Sequence, residues 1–340
     1  MSSAAIRDTP AGTRSGSREE FACLLSGCGI FELENRAKLS LAGNDRVRWL
    51  NGMITNKVRD LAAGQGVYAF VLTPQGHTLG DLYAYNRGES LLVDTDQTQK
   101  EKLLGIFRKY IIMDKVEITD LSEQLLTIGV AGPKACDVLR TAGIECQNLE
   151  PMHFIETAWQ GASVAVVQGD NRAISSCEIW ATPDLSKKLR EALIIAGAMQ
   201  VGSAAMELLR IASGRPRYGQ DISERDLPQE TEQLQALNFN KGCYIGQEIV
   251  ERIRSRGAVH RKFSGFEVNG TLPAPGTKIQ AGGKDVGEIT SVASLPLATG
   301  DRPVALGYIR REAAESGQLL QAGSAQLTVA SVPFSGVFRN

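Results

Sequence analysis

The chain has 340 residues, 43% of them apolar and 22% charged, with a formal net charge of −1. That length exceeds what one hydrophobic core usually organises, so more than one domain is expected. The near-zero charge argues against wholesale nucleic-acid binding, and the absence of any run of 18 apolar residues predicts that nothing spans a membrane.

Residues 1–20 are rich in Ser, Arg and Gly and lack the apolar segment of a secretory signal. Asp8, Glu19 and Glu20 count against a transit peptide, so a disordered tail is expected there. Phe21 to Leu33 reads as a short helix and a turn, Arg36 to Leu41 as a strand, and Asn44 to Leu50 as a capped helix. Val67 to Thr73 and Thr78 to Tyr85 are strands joined by the turn Pro74-Gln75-Gly76, the pattern of a hairpin. A strand at 91–94, an amphipathic helix from Thr98 to Tyr110 and a strand at 116–119 follow. A second cycle has strands at 126–131, 162–168 and 177–181, with helices after Pro133, over 184–196 and over 203–213. Hairpins among irregularly alternating helices favour α+β over a doubly wound parallel sheet. Beyond His260 the chain turns to short strands separated by turn pairs such as Asn269-Gly270 and Gly282-Gly283, which reads as a small β-barrel over 262–340. The expected division is therefore 21–50 with 122–255 as one discontinuous α+β domain, 51–121 as a second, and the barrel.

The six cysteines form no C-x-x-C and no metal-ligand spacing, which suggests reduced thiols in a cytoplasmic setting. Gly64-Gln65-Gly66 imitates a dinucleotide fingerprint but precedes a strand where that motif must open a helix, so it is rejected.

One octapeptide concentrates chemistry: Lys241-Gly242-Cys243-Tyr244-Ile245-Gly246-Gln247-Glu248. Two glycines around a thiol suggest a tight loop, and an adjacent ammonium would favour the thiolate. The cysteine is either a reactive group or filler for a small apolar hole. Asp81, at the entrance of a strand after a Gly-rich turn, either meets a ligand's N–H groups or caps the turn. Glu178 lies in a strand beside Trp180, where it either binds a partner such as an aminopyrimidine edge or points to solvent. Arg210, in an apolar helix, needs a carboxylate from the protein or a ligand. Arg252, Arg254 and Arg256 alternate by two, so as a strand they would share one face, suited to a polyanion or simply solvated.

The octapeptide resembles the signature K-G-C-[YF]-x-G-Q-E of the YgfZ family, folate-binding proteins related to the glycine-cleavage T-protein and including iron–sulfur assembly factors. Leu209 to Pro216, Leu227 to Glu230 and Gly307 to Arg311 extend the resemblance. It implies a three-lobed cloverleaf around a folate-sized cavity. It also implies that Glu178 and Arg210 hold the pterin of a tetrahydrofolate, assisted by Tyr244, with Asp81 near the reactive ring nitrogen. Cys243 would face the cavity as a redox or one-carbon thiol, and Arg252 and Arg254 would meet the polyglutamate tail or a client. Implied partners are folate and iron–sulfur client proteins, with tRNA affected indirectly and the protein monomeric. An aminomethyltransferase or demethylase is the alternative. The T-protein turn ends in paired aspartates, whereas Gly80 precedes Asp81 here, which counts against aminomethyl transfer.

Overall fold

The computed structural model describes residues 11–145, 149–257, 259–315 and 317–338. Helix α1 (Ala11–Ser26) leads into β1 (Gly29–Glu32), β2 (Arg36–Ala42) and α2 (Arg46–Met53). Then come β3 (Gly66–Leu72), β4 (Thr78–Asn86), β5 (Leu91–Asp96), α3 (Lys100–Tyr110) and β6 (Glu117–Asp120). The second cycle contains β7 (Leu126–Ala131), α4 (Ala135–Thr141), β8 (Phe154–Trp159), β9 (Ala162–Gln168), β10 (Ser176–Ala181), α5 (Pro183–Ile195), β11 (Met199–Gln200) and α6 (Ser203–Ala212). A long irregular stretch ends in α7 (Gln247–Arg256). The barrel follows as β12 (Arg261–Asn269), β13 (Lys278–Ala281), β14 (Lys284–Leu297), β15 (Gly300–Arg310), α8 (Arg311–Glu315), β16 (Leu320–Ala322) and β17 (Ala325–Ala330).

The strands sort into a six-stranded sheet, β11-β1-β7-β10-β9-β8, a five-stranded sheet, β3-β4-β5-β2-β6, and a closed barrel, β12-β15-β14-β13-β16-β17. The architecture is α+β, and the sheets pack face to face with helices on their outer sides. Strand pleating sends alternate residues to opposite faces, and the apolar ones follow it. Leu39, Leu41, Val71, Leu82 and Val93 turn outward under α2 and α3 with Trp49 and Phe107. Ile128, Val130, Val166 and Ile179 turn outward under α4 and α5 with Leu139, Leu189 and Leu193. Between the sheets, Tyr85 meets Trp180 edge to face with ring centroids 4.9 Å apart. A third core joins Phe21 and Leu24 of α1 and Leu209 of α6 to Phe263, Leu295 and Tyr308 of the barrel.

Two expectations change here. Helix α1 begins at Ala11, inside the stretch expected as a tail, because Phe21 and Leu24 are fully buried and Glu20 accepts from the Gly202 amide at 2.9 Å. The first ten residues lie outside the described chain. The lobe boundary also moves: β1 pairs with β7 and β11, but β2 pairs with β5 and β6, so the chain changes sheets in the turn after Glu32 and not near residue 50. Among the described residues no helix is long and apolar enough to cross a membrane.

Candidate functional site

The same alternation that buries the outer faces leaves the inner faces rich in polar and aromatic groups. Arg36 and Lys38 of β2, Asp81, Tyr83 and Tyr85 of β4, Asp94 of β5 and Glu178 and Trp180 of β10 all fall an odd number of residues from the outer-face positions of their strands. Toward α6 and the Arg215 to Gln220 loop the sheets part to leave a cavity of about 990 Å³. A connected cleft of about 320 Å³ runs from Arg36, Tyr83 and Arg215 to Glu178 and Asp170.

Asp81 lines the larger cavity, as the turn before it suggested. Its carboxylate accepts from the Tyr68 hydroxyl and from Gln99 Nε2, each at 2.7 Å. Burial, reinforced by the Asp81 charge, pushes the Tyr68 hydroxyl well above its usual range, so it stays a donor. Gly80 has a local reason: a Cβ there would come within 2.8 Å of Gln99 Oε1 and 3.1 Å of Leu103 Cδ2, displacing the side chain that braces Asp81. Glu178 is half-buried and lines the cleft, accepting from Trp180 Nε1 at 3.2 Å.

Arg210 touches the cavity but is not available to grip a ligand. Nε and Nη2 hold Glu207 at 2.9 and 2.6 Å, Nη1 donates to Asp221 and to the Arg215 carbonyl at 2.6 Å, and Nη2 also reaches Ser291 at 2.8 Å. Those are all five guanidinium donors. Its partner Asp221 is fully buried and also accepts from Ser291 of β14 at 2.7 Å, so this arginine ties α6 and the cavity loop to the barrel.

The octapeptide is a structural clasp from which the side chains of Cys243 and Glu248 turn outward. Lys241 is buried, and its Nζ donates to the carbonyls of Asn51, Ile54 and Asn56 at 2.5, 2.6 and 2.7 Å, closing the carboxyl end of α2. Burial, with the Arg59 charge nearby, pushes its pKa down to about 7, while the three carbonyls favour the charged form. It therefore serves the backbone and not the thiol. Tyr244 is also buried, in a cluster with Tyr68, Phe70 and Leu72, so it is a core residue and not a ligand contact. Gly246 adopts φ +83°, and a Cβ there would meet the Thr73 carbonyl at 2.6 Å. Cys243 is exposed, as are Gly242 and Glu248, and it does not line the cavity it was expected to face.

The basic stretch is a helix, not a strand: Ile249, Val250 and Ile253 recur at helical spacing, and Gly257 ends the run. Arg252 and Arg254 are exposed on α7 away from the cavity wall, and Arg254 stacks on Phe239 at 4.6 Å. The Arg256 side chain lies outside the described residues. Sequence reasoning missed Arg36 and Arg215. Arg215 donates to Asp170 at 2.6 Å and to the Tyr83 hydroxyl at 2.8 Å. Among the described residues no group of His, Cys, Asp and Glu is placed to hold a metal ion.

Residues 9–241 match the GCVT N-terminal domain family, and residues 261–334 match the CAF17 C-terminal β-barrel domain. An aminomethyltransferase of Rubrobacter xylanophilus is 30% identical over 87% of this chain and 80% of its own length. A putative chloroplastic transferase of Arabidopsis thaliana is 26% identical over 88% and 69%. The crystal structure of aminomethyltransferase T from Bartonella henselae superposes with a TM-score of 0.84, covering 95% of this chain and 90% of that one at 21% identity, which shows the shared fold. The chain belongs to the GCVT family and carries a C-terminal β-barrel of the CAF17 type.

Proposed function

We propose that the protein holds a reduced folate in the cavity between its sheets and, as a YgfZ-type member of its family, supports assembly or repair of iron–sulfur clusters in cytoplasmic client proteins. tRNA modification would be affected through those clients, without direct tRNA contact. The observation that carries the folate reading is the arrangement of the inner faces: Asp81 lines the cavity of about 990 Å³, Glu178 lines the adjoining cleft of about 320 Å³, and Arg36, Arg215 and the Tyr83 ring line both. A tetrahydrofolate offers the complement: a flat ring edged with N–H donors, and a glutamate end that is anionic. Glu178 would take the ring donors, and Asp81 would stand near the ring nitrogens that carry one-carbon units.

The YgfZ part rests on the octapeptide signature together with the exposure of Cys243 outside the cavity. A thiol so placed suits contact with a protein client better than chemistry on the bound ring. The second reading, one-carbon transfer to folate, is favoured by the aminomethyltransferase relative.

Titration of purified protein with tetrahydrofolate tests the first reading. Glu178→Gln removes a charge-assisted acceptor and should weaken binding roughly 10- to 100-fold. No binding by the unaltered protein would end the folate proposal. Multiple turnovers with an aminomethyl donor, unchanged by Cys243→Ala, would move the assignment to the transferase.

A further inference from the structure

Arg36 begins β2, and only one of its donors is tied down. Nε donates to Asp94 Oδ1 at 2.8 Å. The other oxygen of Asp94 accepts from Lys38 Nζ at 2.5 Å, and Lys38 is itself fully buried over the Trp180 ring at 4.6 Å. This brace fixes the guanidinium through Nε and leaves Nη1 and Nη2 without a hydrogen-bond partner among the described residues. The group lies over Tyr83, its Cζ 5.6 Å from the ring centroid.

Glu178 is the counterpart across the same cleft. Oε2 accepts from Trp180, and Oε1 has no donor among the described residues. Its charge acts on Arg36, yet no ion pair closes between the two. Burial normally drives such neighbours together. Separate braces, Asp94 for one and Trp180 for the other, hold them apart instead, so a donor edge and an acceptor edge face one volume of about 320 Å³.

We propose that Arg36 and Glu178 together read the amide edge of the bound heterocycle, Arg36 donating to the 4-oxo group and Glu178 accepting from the adjacent ring N–H and 2-amino group. Arg36 is then a specificity-determining residue, and this assignment rests on the reduced-folate reading above. A 4-amino ring would set its own N–H groups against the guanidinium, donor against donor, and an unprotonated ring nitrogen against Glu178, so the two residues together discriminate between 2-amino-4-oxo and 2,4-diamino ligands.

The test measures dissociation constants for tetrahydrofolate and for its 4-amino analogue with the unaltered protein, Arg36→Met and Arg36→Lys, with melting curves for each. The unaltered protein should prefer the 4-oxo ligand by roughly 10- to 100-fold. That preference should fall several-fold in Arg36→Met, leaving the part that Glu178 enforces at the ring N–H, and should fall less in Arg36→Lys, which keeps a cation for Asp94 and so remains readable if the methionine variant does not fold. Binding of tetrahydrofolate without a 4-oxo preference, or a preference unchanged in folded Arg36→Lys, would overturn the Arg36 assignment and leave the folate reading standing. Binding of neither ligand by the unaltered protein would overturn both.

Discussion

In the loop from Lys241 to Gly246 the lysine and the tyrosine turn inward and are consumed by the protein, the one by three carbonyls and the other by an aromatic cluster. On the inner faces of the two sheets, similar side chains are braced on one side and open on the other: Arg36 by Asp94, Arg215 by Asp170, Glu178 by Trp180. The difference lies in what each group has left over once the fold has been satisfied. By that measure Arg210 belongs with Lys241, as a tie within the structure, although it borders the cavity.

The ties should give the largest effects on mutation. Arg210→Met leaves Asp221 buried without its cation and should lower stability by about 3–5 kcal/mol in a denaturant titration. A loss below about 1 kcal/mol would return Arg210 to the pool of ligand-binding groups. Lys241→Met strands the carbonyls of Asn51, Ile54 and Asn56, with an expected loss of about 2–3 kcal/mol by the same method. Gly80→Ala forces Gln99 or Leu103 to move, and about 1–2 kcal/mol should be lost together with weaker tetrahydrofolate binding.

A smaller effect should appear in the pH dependence of stability. Burial would raise the Glu207 carboxyl, but hydrogen bonds and charge from Arg210, with the charge of Arg217, hold it below its ordinary 4.5. A carboxyl lowered in the folded state adds stability above pH 4.5 and loses it as pH falls through the folded value. Glu207→Gln should therefore flatten the acid limb of a stability–pH curve below about pH 4.5, at a cost near neutrality of about 1 kcal/mol, reduced by partial exposure. At the other end, Cys243→Ser should change stability by less than about 0.5 kcal/mol, because that thiol is exposed.

Local periodicity made the strand faces readable. The alternation in Arg36 to Leu41 and Thr78 to Tyr85, and the placement of Glu178 next to Trp180, put Asp81 and Glu178 on the correct strands. What strands pair with is a non-local matter, so β1 and β2 parting to different sheets was not readable from either strand alone. Strand β8 was missed because Phe154 to Trp159 mixes Glu156 and Thr157 into a short apolar run. The arginines after the octapeptide misled because their spacing of two outweighed the helical spacing of Ile249, Val250 and Ile253. Arg36 gave no signal, since a basic residue opening a strand is common and only its three-dimensional neighbours set it apart.

Within the octapeptide, Gly246 satisfies demanding backbone geometry, Lys241 ties three carbonyls and Tyr244 packs in an aromatic cluster. The ligand site proposed between the sheets is thus distinct from the exposed thiol of Cys243. The most direct test is tetrahydrofolate titration of the protein before and after alkylation at Cys243, with modification at that residue verified by mass spectrometry. The expected result is binding with the same dissociation constant in both. Loss of binding on alkylation, or no binding in either, would contradict it.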